Sequence, residues 1–268
     1  MRQISILGCG WLGIPLAKSL LEKGFSVKGS TTSSAKLPML QQSGIDSFQV
    51  VVSETKIDGD ITSFLQDSEI LIIDIPPKLR GDSSENFVKK MENLIPFIKD
   101  AKIQKVIFIS STAVYNNNYP IVTETTEPNP DTENGLQLVQ AEKLFLLRES
   151  DLSTTIIRFA GLIGEDRHPA YHLSGKQNLG NPGAAVNLIH QVDCIGIIEA
   201  IIENDCWNQT FNAVAPFHPR RDNYYTQKAA EFGLPLPRFS ADSNSFGKVV
   251  HGDLVESELQ YQFQKPNL

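Results

Sequence analysis

The stretch from Ile4 to Gly13, ISILGCGWLG, places three glycines directly behind a short apolar run. Gly8, Gly10 and Gly13 follow the spacing G-x-G-x-x-G. In this arrangement the first glycine allows a tight turn, the second lets the backbone approach a pyrophosphate, and the third lets the next helix pack on the strand. The alternative is a glycine-rich turn that binds no ligand. The stretch predicts a dinucleotide site with the cofactor-binding residues Gly8, Gly10, Trp11, Leu12 and Gly13.

Segments typical of strands and of helices alternate along the first part of the chain. The strand-like segments are 4–7, 25–29, 48–52, 70–75, 105–110 and 154–159. The segments with helical spacing of apolar residues are 11–22, 87–99 and 136–148. The run ILIIDI at 70–75 is almost continuously apolar, as expected for a strand covered on both faces. The alternation predicts an α/β fold, a Rossmann-type doubly wound parallel sheet.

Beyond residue 163 the alternation weakens, and glycine and proline become frequent. A helix is predicted at 192–203, and QTFNAV at 209–214 is typical of one more strand. We therefore predict an NAD(P)-binding domain over residues 1–163, to which the strand at 209–214 returns. Residues 164–268 form a smaller, interleaved C-terminal substrate lobe in this prediction.

Composition limits the classes of partner. The 268 residues are 41% hydrophobic and 21% charged, with a net charge of −7. The charges are scattered, which disfavours nucleic acid or an anionic membrane surface as a partner. The three cysteines show no metal-binding spacing and are typical of reduced thiols. No signal peptide or membrane-spanning run is recognisable, so we expect a cytoplasmic protein with a small-molecule substrate.

The end of the second predicted strand indicates which dinucleotide is bound. NAD-binding folds usually carry Asp or Glu there, which accepts a hydrogen bond from the ribose 2′-hydroxyl. This chain instead has the hydroxyl side chains Ser30, Thr31 and Thr32, followed by Lys36. Hydroxyls and a lysine can bind a 2′-phosphate that a carboxylate would repel. The sequence favours NADP over NAD, although Ser/Thr-rich surface loops are also common.

Four stretches, GCGWLG, KVIFISSTAVY, IIRFAGLIGEDRHP and VNLIHQVDCIG, resemble the extended short-chain dehydrogenase/reductase family. The resemblance is greater to its atypical YeeZ-type subgroup, described as NAD(P)-dependent epimerases, and it runs nearly the whole length. It implies further cofactor-binding residues, namely Ile75, Pro76, Pro77, Ser110, Phe159, Ala160 and Gly161. It also implies that Arg167, His168 and Lys176 line the substrate side.

The resemblance fails at the family's catalytic helix. Members carry a serine after a sheet strand, and Ser111 matches it. They also carry Tyr-x-x-x-Lys on the next helix, where the tyrosine is the acid/base and the lysine lowers its pKa. Here Asn134 and Leu138 occupy those two positions, so the standard tetrad is absent. A literal Tyr-x-x-x-Lys at 224–228 lies far along the chain, and we interpret it as a chance pair.

Other polar residues are weaker candidates. His190 has an intrinsic pKa suited to proton transfer near neutrality, although a structural hydrogen bond is the alternative. Asp193 is expected to cap a helix, and Arg158, inside a strand, to be a structural ion partner. His168 and His172 have the i,i+4 spacing of metal ligands. Pro169 lies between them and no third ligand is evident, so we predict no metal site.

Two hypotheses remain. In the first, the protein is an NADP-dependent oxidoreductase or epimerase acting on a small sugar-like or anionic substrate, in which Ser111 orients a substrate oxygen. His190, or a group brought by the substrate, then moves the proton. In the second, it is a non-catalytic NADP-binding sensor or regulatory protein that has lost the Tyr-x-x-x-Lys pair.

Overall fold

The computed structural model describes residues 2–77, 85–146, 152–241 and 247–268. The strands of these residues are β1 (Gln3–Leu7), β2 (Ser26–Thr31), β3 (Asp46–Val52), β4 (Ile57–Gly59), β5 (Ile70–Ile73), β6 (Lys105–Ser111), β7 (Ile121–Val122), β8 (Ser153–Phe159), β9 (Gly161–Ile163), β10 (Leu188–His190), β11 (Thr210–Ala213) and β12 (Val249–Val250). The helices are α1 (Gly13–Glu22), α2 (Leu37–Gln42), α3 (Ile61–Leu65), α4 (Phe87–Asp100), α5 (Glu133–Leu146), α6 (Pro169–Leu173), α7 (Gln191–Glu203), α8 (Arg221–Glu231) and α9 (Asp253–Ser257).

Eight strands form one sheet in the order β11-β8-β6-β5-β1-β2-β3-β4. The pairs β1–β2, β1–β5, β2–β3 and β5–β6 are parallel. The chain winds outward from β1 in both directions, because β2 and β5 flank it. This topology confirms the predicted doubly wound sheet.

The sheet also contains an element that the sequence pattern did not predict. Strand β4 pairs antiparallel with β3 and ends the sheet on that side. It has three residues, and two of them are exposed. A strand this short carries too little apolar periodicity to be recognised from sequence. The predicted helix at 136–148 corresponds to α5, and its last two positions lie outside the described residues.

Apolar residues on the predicted strands form the core around the sheet. All four residues of β5 are fully buried, as its continuous apolar run predicts. Phe108 of β6 packs against Phe87 of α4 and Phe145 of α5, with ring centroids 6.3 and 5.1 Å apart. These contacts fix α4 and α5 against β6, the strand that ends at Ser111.

The chain divides into two compact units. The first consists of residues Met1–Ser111, Thr132–Arg158 and Ile198–Thr210, and the second of Thr112–Asp131, Phe159–Ile197 and Phe211–Leu268. The second unit holds two small parallel sheets, β9–β10 and β7–β12. Its core includes Ile163, Val186, Leu188, Tyr224 and Tyr225. Within the described ranges, no helix has the length and apolar character needed to cross a membrane.

Candidate functional site

The glycine loop connects β1 to α1 in the first unit. Gly8 has a φ of +116°, which L side chains rarely adopt. A Cβ at this position would also lie 2.3 Å from the Asp74 carbonyl oxygen. The Gly8 amide donates to the Ser30 hydroxyl over 3.0 Å, and the Cys9 amide donates to the Ser30 carbonyl over 2.7 Å. Strands β2 and β5 therefore hold the loop from both sides.

Gly10 and Gly13 lack a side chain for different reasons. A Cβ on Gly13 would lie 2.3 Å from the Gly8 carbonyl oxygen, so the packing of the loop itself requires glycine there. Gly10 is exposed, and nothing lies within 4 Å of the position its Cβ would occupy. The packing of the loop does not require glycine at this position, but close approach of a pyrophosphate to the backbone would require it. The open space at Gly10 thus fits a dinucleotide.

Asp74 is a residue of this site that the motif analysis did not single out. It directly follows β5, and its amide donates to the Leu7 carbonyl over 2.9 Å. Its carboxyl accepts a hydrogen bond from the Gly13 amide at the start of α1. Burial raises the pKa of this carboxyl to about 7, and the Gly13 bond partly opposes the increase. The signal was present in the sequence, because a carboxyl at the end of a central strand lies beside the glycine loop.

The buried thiol of Cys9 adds no reactive group to the loop. Burial, together with the nearby Asp74, raises its pKa to about 12. The thiol therefore stays protonated near neutral pH and is a weak nucleophile.

The hydroxyls predicted to bind a 2′-phosphate differ in their surroundings. Ser30 and Thr31 are buried. The Ser30 hydroxyl accepts from the Gly8 amide, and the Thr31 hydroxyl accepts from the Ser33 amide over 3.2 Å. Thr32 and Lys36 are exposed. Ser30 and Thr31 shape the strand end, while the exposed pair presents its polar atoms to solvent.

Arg158 and Glu142 form a buried ion pair in the first unit, next to Ser110 of β6. Arg158 of β8 donates to both carboxylate oxygens of Glu142 on α5, over 3.1 and 2.6 Å. The Ser110 hydroxyl donates to the same carboxylate over 2.5 Å. All three side chains are buried. The predicted structural role of Arg158 as an ion partner is confirmed, and Ser110 is directed toward Glu142.

Helix α5 carries the two positions where the family has its tyrosine and lysine. Asn134 lies in the first turn of α5 and is partly exposed, whereas Leu138 is buried. The neighbouring Gln137 accepts a hydrogen bond from the Phe87 amide over 2.7 Å and so fixes the start of α4. The buried Leu138 and the Gln137 amide thus anchor the helix, whereas Asn134 at the family's tyrosine position is partly exposed.

The other predicted cofactor residues follow two strand ends. Ile75 is partly buried, Pro76 is exposed and Pro77 is buried, immediately after β5. In the second unit, Phe159 and Ala160 are buried. The Ala160 amide donates to the Ala213 carbonyl over 3.0 Å, and the Gly161 amide donates to the Asn187 carbonyl over 3.1 Å.

His190 ends β10 in the second unit. Its Nδ1 accepts a hydrogen bond from the Val192 amide over 3.3 Å, which assigns the proton of the neutral ring to Nε2. Nε2 lies 3.9 Å from a carboxylate oxygen of the exposed Glu165. Burial lowers the pKa of His190 from its ordinary value, so the ring is neutral near pH 7.

The expected helix-capping role of Asp193 is wrong. Asp193 lies inside the first turn of α7 and is fully buried. Its carboxylate accepts hydrogen bonds from the Tyr261 hydroxyl and the Gln264 and Lys265 amides, over 2.9, 2.7 and 3.1 Å. It therefore fastens the C-terminal segment, a long-range contact that the local pattern could not indicate.

The contacts of the literal Tyr-x-x-x-Lys pair are those of structural residues. Tyr224 of α8 is buried, and its hydroxyl lies 3.0 Å from Nε2 of His168. Burial raises the pKa of Tyr224, the opposite of what a tyrosine base needs. Lys228 forms a salt bridge with Glu231 over 3.1 Å. The interpretation of the pair as a chance occurrence agrees with these contacts.

The three predicted substrate residues lie in different environments of the second unit. His168 is buried, and its Nδ1 accepts from the Ala170 amide over 3.1 Å at the start of α6. Burial lowers its pKa to about 4. Arg167 and Lys176 are exposed on the connections flanking α6. Their role toward a substrate stays a prediction.

A profile of NAD(P)H-binding proteins matches residues 8–187, from the first glycine of the loop into the second unit. The chain belongs to this NAD(P)H-binding family. Protein YeeZ of Escherichia coli (strain K12) is 35% identical over 270 residues, which cover 100% of this chain and 97% of that protein. The predicted resemblance to the YeeZ-type subgroup is confirmed.

Solved structures share the fold of this NAD(P)H-binding chain. A short-chain dehydrogenase/reductase superfamily protein from Agrobacterium tumefaciens with bound NAD has a TM-score of 0.81 at 16% identity, over 98% of this chain and 93% of that one. UDP-glucuronic acid 4-epimerase from Bacillus cereus, in complex with NAD, has a TM-score of 0.80 at 18% identity, over 98% and 94%. At these identities the likeness establishes the fold alone.

Proposed function

We propose that this chain binds NADP and acts as an epimerase- or oxidoreductase-like protein on a small sugar-like or anionic substrate. The observation that supports dinucleotide binding is the open space at Gly10. Gly8 and Gly13 are required by the packing of the loop, whereas the space beside Gly10 is open, as the close approach of a pyrophosphate to the backbone would need. Residues Gly8 to Gly13, with Ile75 to Pro77, would hold the dinucleotide, and Ser110, Phe159, Ala160 and Gly161 remain proposed cofactor residues.

The preference for NADP rests on the end of β2. Ser30 and Thr31 are buried, whereas Thr32 and Lys36 are exposed, so we take the exposed pair as the proposed partners of a 2′-phosphate. A hydroxyl donor and an ammonium form charge-assisted hydrogen bonds with such a group. We propose that Ser30 and Thr31 contribute by fixing the loop and the strand end.

The proposed catalytic residues are Ser111 and His190. A bound nicotinamide supplies hydride transfer, and the coupled proton needs a separate carrier. Ser111 would orient a substrate oxygen. The neutral His190 carries its proton on Nε2, so it is suited to donate to a developing oxyanion. Arg167 and Lys176 remain the proposed substrate residues from the sequence, whereas both ring nitrogens of His168 are engaged within the protein.

A second candidate function is NADP binding without catalysis. Leu138 is buried at the family's lysine position and Asn134 stands at the tyrosine position. Neither side chain can move a proton at neutral pH. In a protein of this kind, the presence or absence of bound NADP would act as the regulatory signal.

The two functions are separated by one set of measurements. Purified protein is titrated with NADP and NAD by calorimetry and screened with NADP and NADPH against panels of sugar nucleotides, keto acids and aldehydes. Ser111→Ala and His190→Ala should each lower turnover at least tenfold while NADP affinity stays within about twofold. Tight NADP binding with no turnover would favour the non-catalytic function, and tighter binding of NAD would contradict the NADP assignment.

A further inference from the structure

A cavity lined by several polar side chains lies within the second unit. Its volume is about 390 Å³, and its lining includes Asn117, Asn181, Asn187, Arg221 and Lys248. The remaining lining residues are two alanines and a glycine. Two cationic residues and three asparagines thus line one space, and none of the described residues that line it is acidic.

Lys248, one of the lining residues, is a buried cation. The side chain is buried, and its ammonium donates to the Tyr115 carbonyl oxygen. An ammonium has three N–H donors. Within the described residues, no carboxylate lies within salt-bridge distance of Nζ, and the charge of Asp131 acts on it only at longer range. Burial lowers the pKa of Lys248, as expected for an ammonium without a close counter-charge.

The backbone around Lys248 is held in place by Asn187. The Asn187 side-chain amide donates to the Lys248 carbonyl over 2.8 Å and accepts from the Val250 amide over 2.9 Å. Both ends of this amide are engaged, so the residue fixes where Lys248 enters the cavity. A buried cation in a fixed place is a prepared partner for an anion.

Arg221 supplies the second charge. Its guanidinium donates to the Gly180 carbonyl and lies 5.4 Å from the centre of the Phe239 ring. These contacts orient the guanidinium. It has five N–H donors, and the bond to the Gly180 carbonyl does not use all of them. The adjacent Arg220 differs, because it is paired with Asp222 over 2.8 Å. Of these two neighbours, Arg221 is the one that lines the cavity.

We propose that this cavity binds the anionic group of the substrate, a phosphate or a carboxylate, through Lys248 and Arg221. The proposal extends the proposed function, and it rests on that function in treating the bound anion as part of a substrate. Binding of an anion by the cavity does not depend on dinucleotide binding. Two cations with the side-chain amides of Asn117 and Asn181 suit a group that has several acceptor oxygens. The anion would provide the counter-charge that the buried ammonium lacks.

The test uses the full chain carrying Gly10→Ala, so that the glycine loop does not compete for anions. Calorimetric titrations use inorganic phosphate, inorganic pyrophosphate and malonate, which separates phosphate from carboxylate recognition. Lys248→Gln and Arg221→Gln should each weaken binding of the preferred anion about tenfold or more. Arg220→Gln, on the neighbouring paired arginine, should leave the affinity within twofold. Lys248→Arg keeps the charge and should retain most of the binding.

Thermal denaturation monitors whether each variant is folded. If Lys248→Gln fails to fold, the anion affinity of Arg221→Gln is compared with that of Arg220→Gln, and this comparison tests the same proposal. The proposal is overturned if the parent chain binds none of the three anions, or if both glutamine variants bind as tightly as the Arg220 control. NADP titrations of the chain with Gly10 intact keep the two proposals apart. Anion binding that depends on Lys248 without any NADP binding would remove the proposed function and leave this cavity assignment in place.

Discussion

The Gly13 amide, at the start of α1, donates its hydrogen bond to the carboxyl of Asp74 at the end of β5. A central strand thus places an ionisable group against the first turn of the helix that would face a dinucleotide. Burial raises the pKa of Asp74 to about 7, so the carboxyl is largely protonated in the folded protein at mildly acidic pH.

This relationship predicts a pH-dependent contribution to stability. In the unfolded chain an aspartate titrates near about 3.9. Between about pH 4 and pH 7 the folded state keeps a proton that the unfolded state releases. The stability that Asp74 contributes is therefore complete below pH 4 and declines as pH rises to about 7, by at most about 1.4 kcal/mol per pH unit. In Asp74→Asn the decline should be absent, because the amide oxygen can accept from Gly13 without titrating.

Urea unfolding of both proteins at pH 5, 6, 7 and 8 measures this. The free energy of unfolding of the wild type minus that of Asp74→Asn should fall as pH rises to 7 and then level off. A difference that stays constant with pH would show that Asp74 titrates alike in the folded and unfolded chains.

The glycine loop predicts opposite outcomes for two alanine substitutions. Gly10→Ala should leave the free energy of unfolding within about 0.5 kcal/mol, because its Cβ meets nothing, but should weaken NADP binding at least tenfold. Gly13→Ala should destabilise the protein by about 1–3 kcal/mol, because its Cβ meets the Gly8 carbonyl. Calorimetry and urea unfolding of both variants check this. Unchanged NADP affinity in Gly10→Ala would contradict a pyrophosphate at the loop.

The buried ion pair predicts a large loss of stability when one partner is removed. Glu142→Gln leaves the Arg158 guanidinium buried without its counter-charge, which should cost about 3–5 kcal/mol. Asp222→Asn breaks the exposed pair with Arg220 and should cost less than about 1 kcal/mol. Urea unfolding at neutral pH measures both. Similar small losses in the two variants would mean that Glu142 and Arg158 are solvated in solution.

Tyr224 offers a test of the second Tyr-x-x-x-Lys sequence. Tyr224→Phe removes the hydrogen bond with His168 and should destabilise the fold by about 0.5–1.5 kcal/mol. NADP affinity and any turnover should be unchanged, because the tyrosine lies in the core of the second unit. Thermal denaturation and the activity screen measure the two properties. Loss of turnover at full stability would instead identify Tyr224 as the missing base.

The end of β2 predicts how the cofactor preference can be altered. Thr32→Asp should weaken NADP binding at least tenfold with little effect on NAD, because the new carboxylate repels a 2′-phosphate. Lys36→Gln should weaken NADP by a smaller factor. Both residues are exposed, so stability should hardly change. Paired titrations with the two nucleotides check this, and equal losses for NADP and NAD would contradict the assignment of these residues to the 2′-phosphate.

Sequence reasoning succeeded where the pattern is local and strong. The apolar run at 70–75 predicted a buried strand, and β5 has no exposed residue. The short antiparallel β4 was missed, because three residues carry no usable period. Asp193 was misassigned, because the start of α7 suggests a cap while the actual hydrogen-bond partners lie about 70 positions later.

The sequence by itself determined the glycine loop, the alternation of strands and helices and the loss of the family's tyrosine and lysine. Each of these depends on residues within a few positions of one another, where glycine conformations and apolar periodicity act. Only the tertiary structure decided that Asp74 contacts Gly13, that Ser30 holds the Gly8 amide and that Glu142 pairs with Arg158. The members of each pair lie on different strands, helices or connections, and they meet because packing of strands and helices around a common core brings them together. Burial then alters their chemistry, since removing water from around a carboxyl or an ammonium shifts its pKa toward favouring the neutral form.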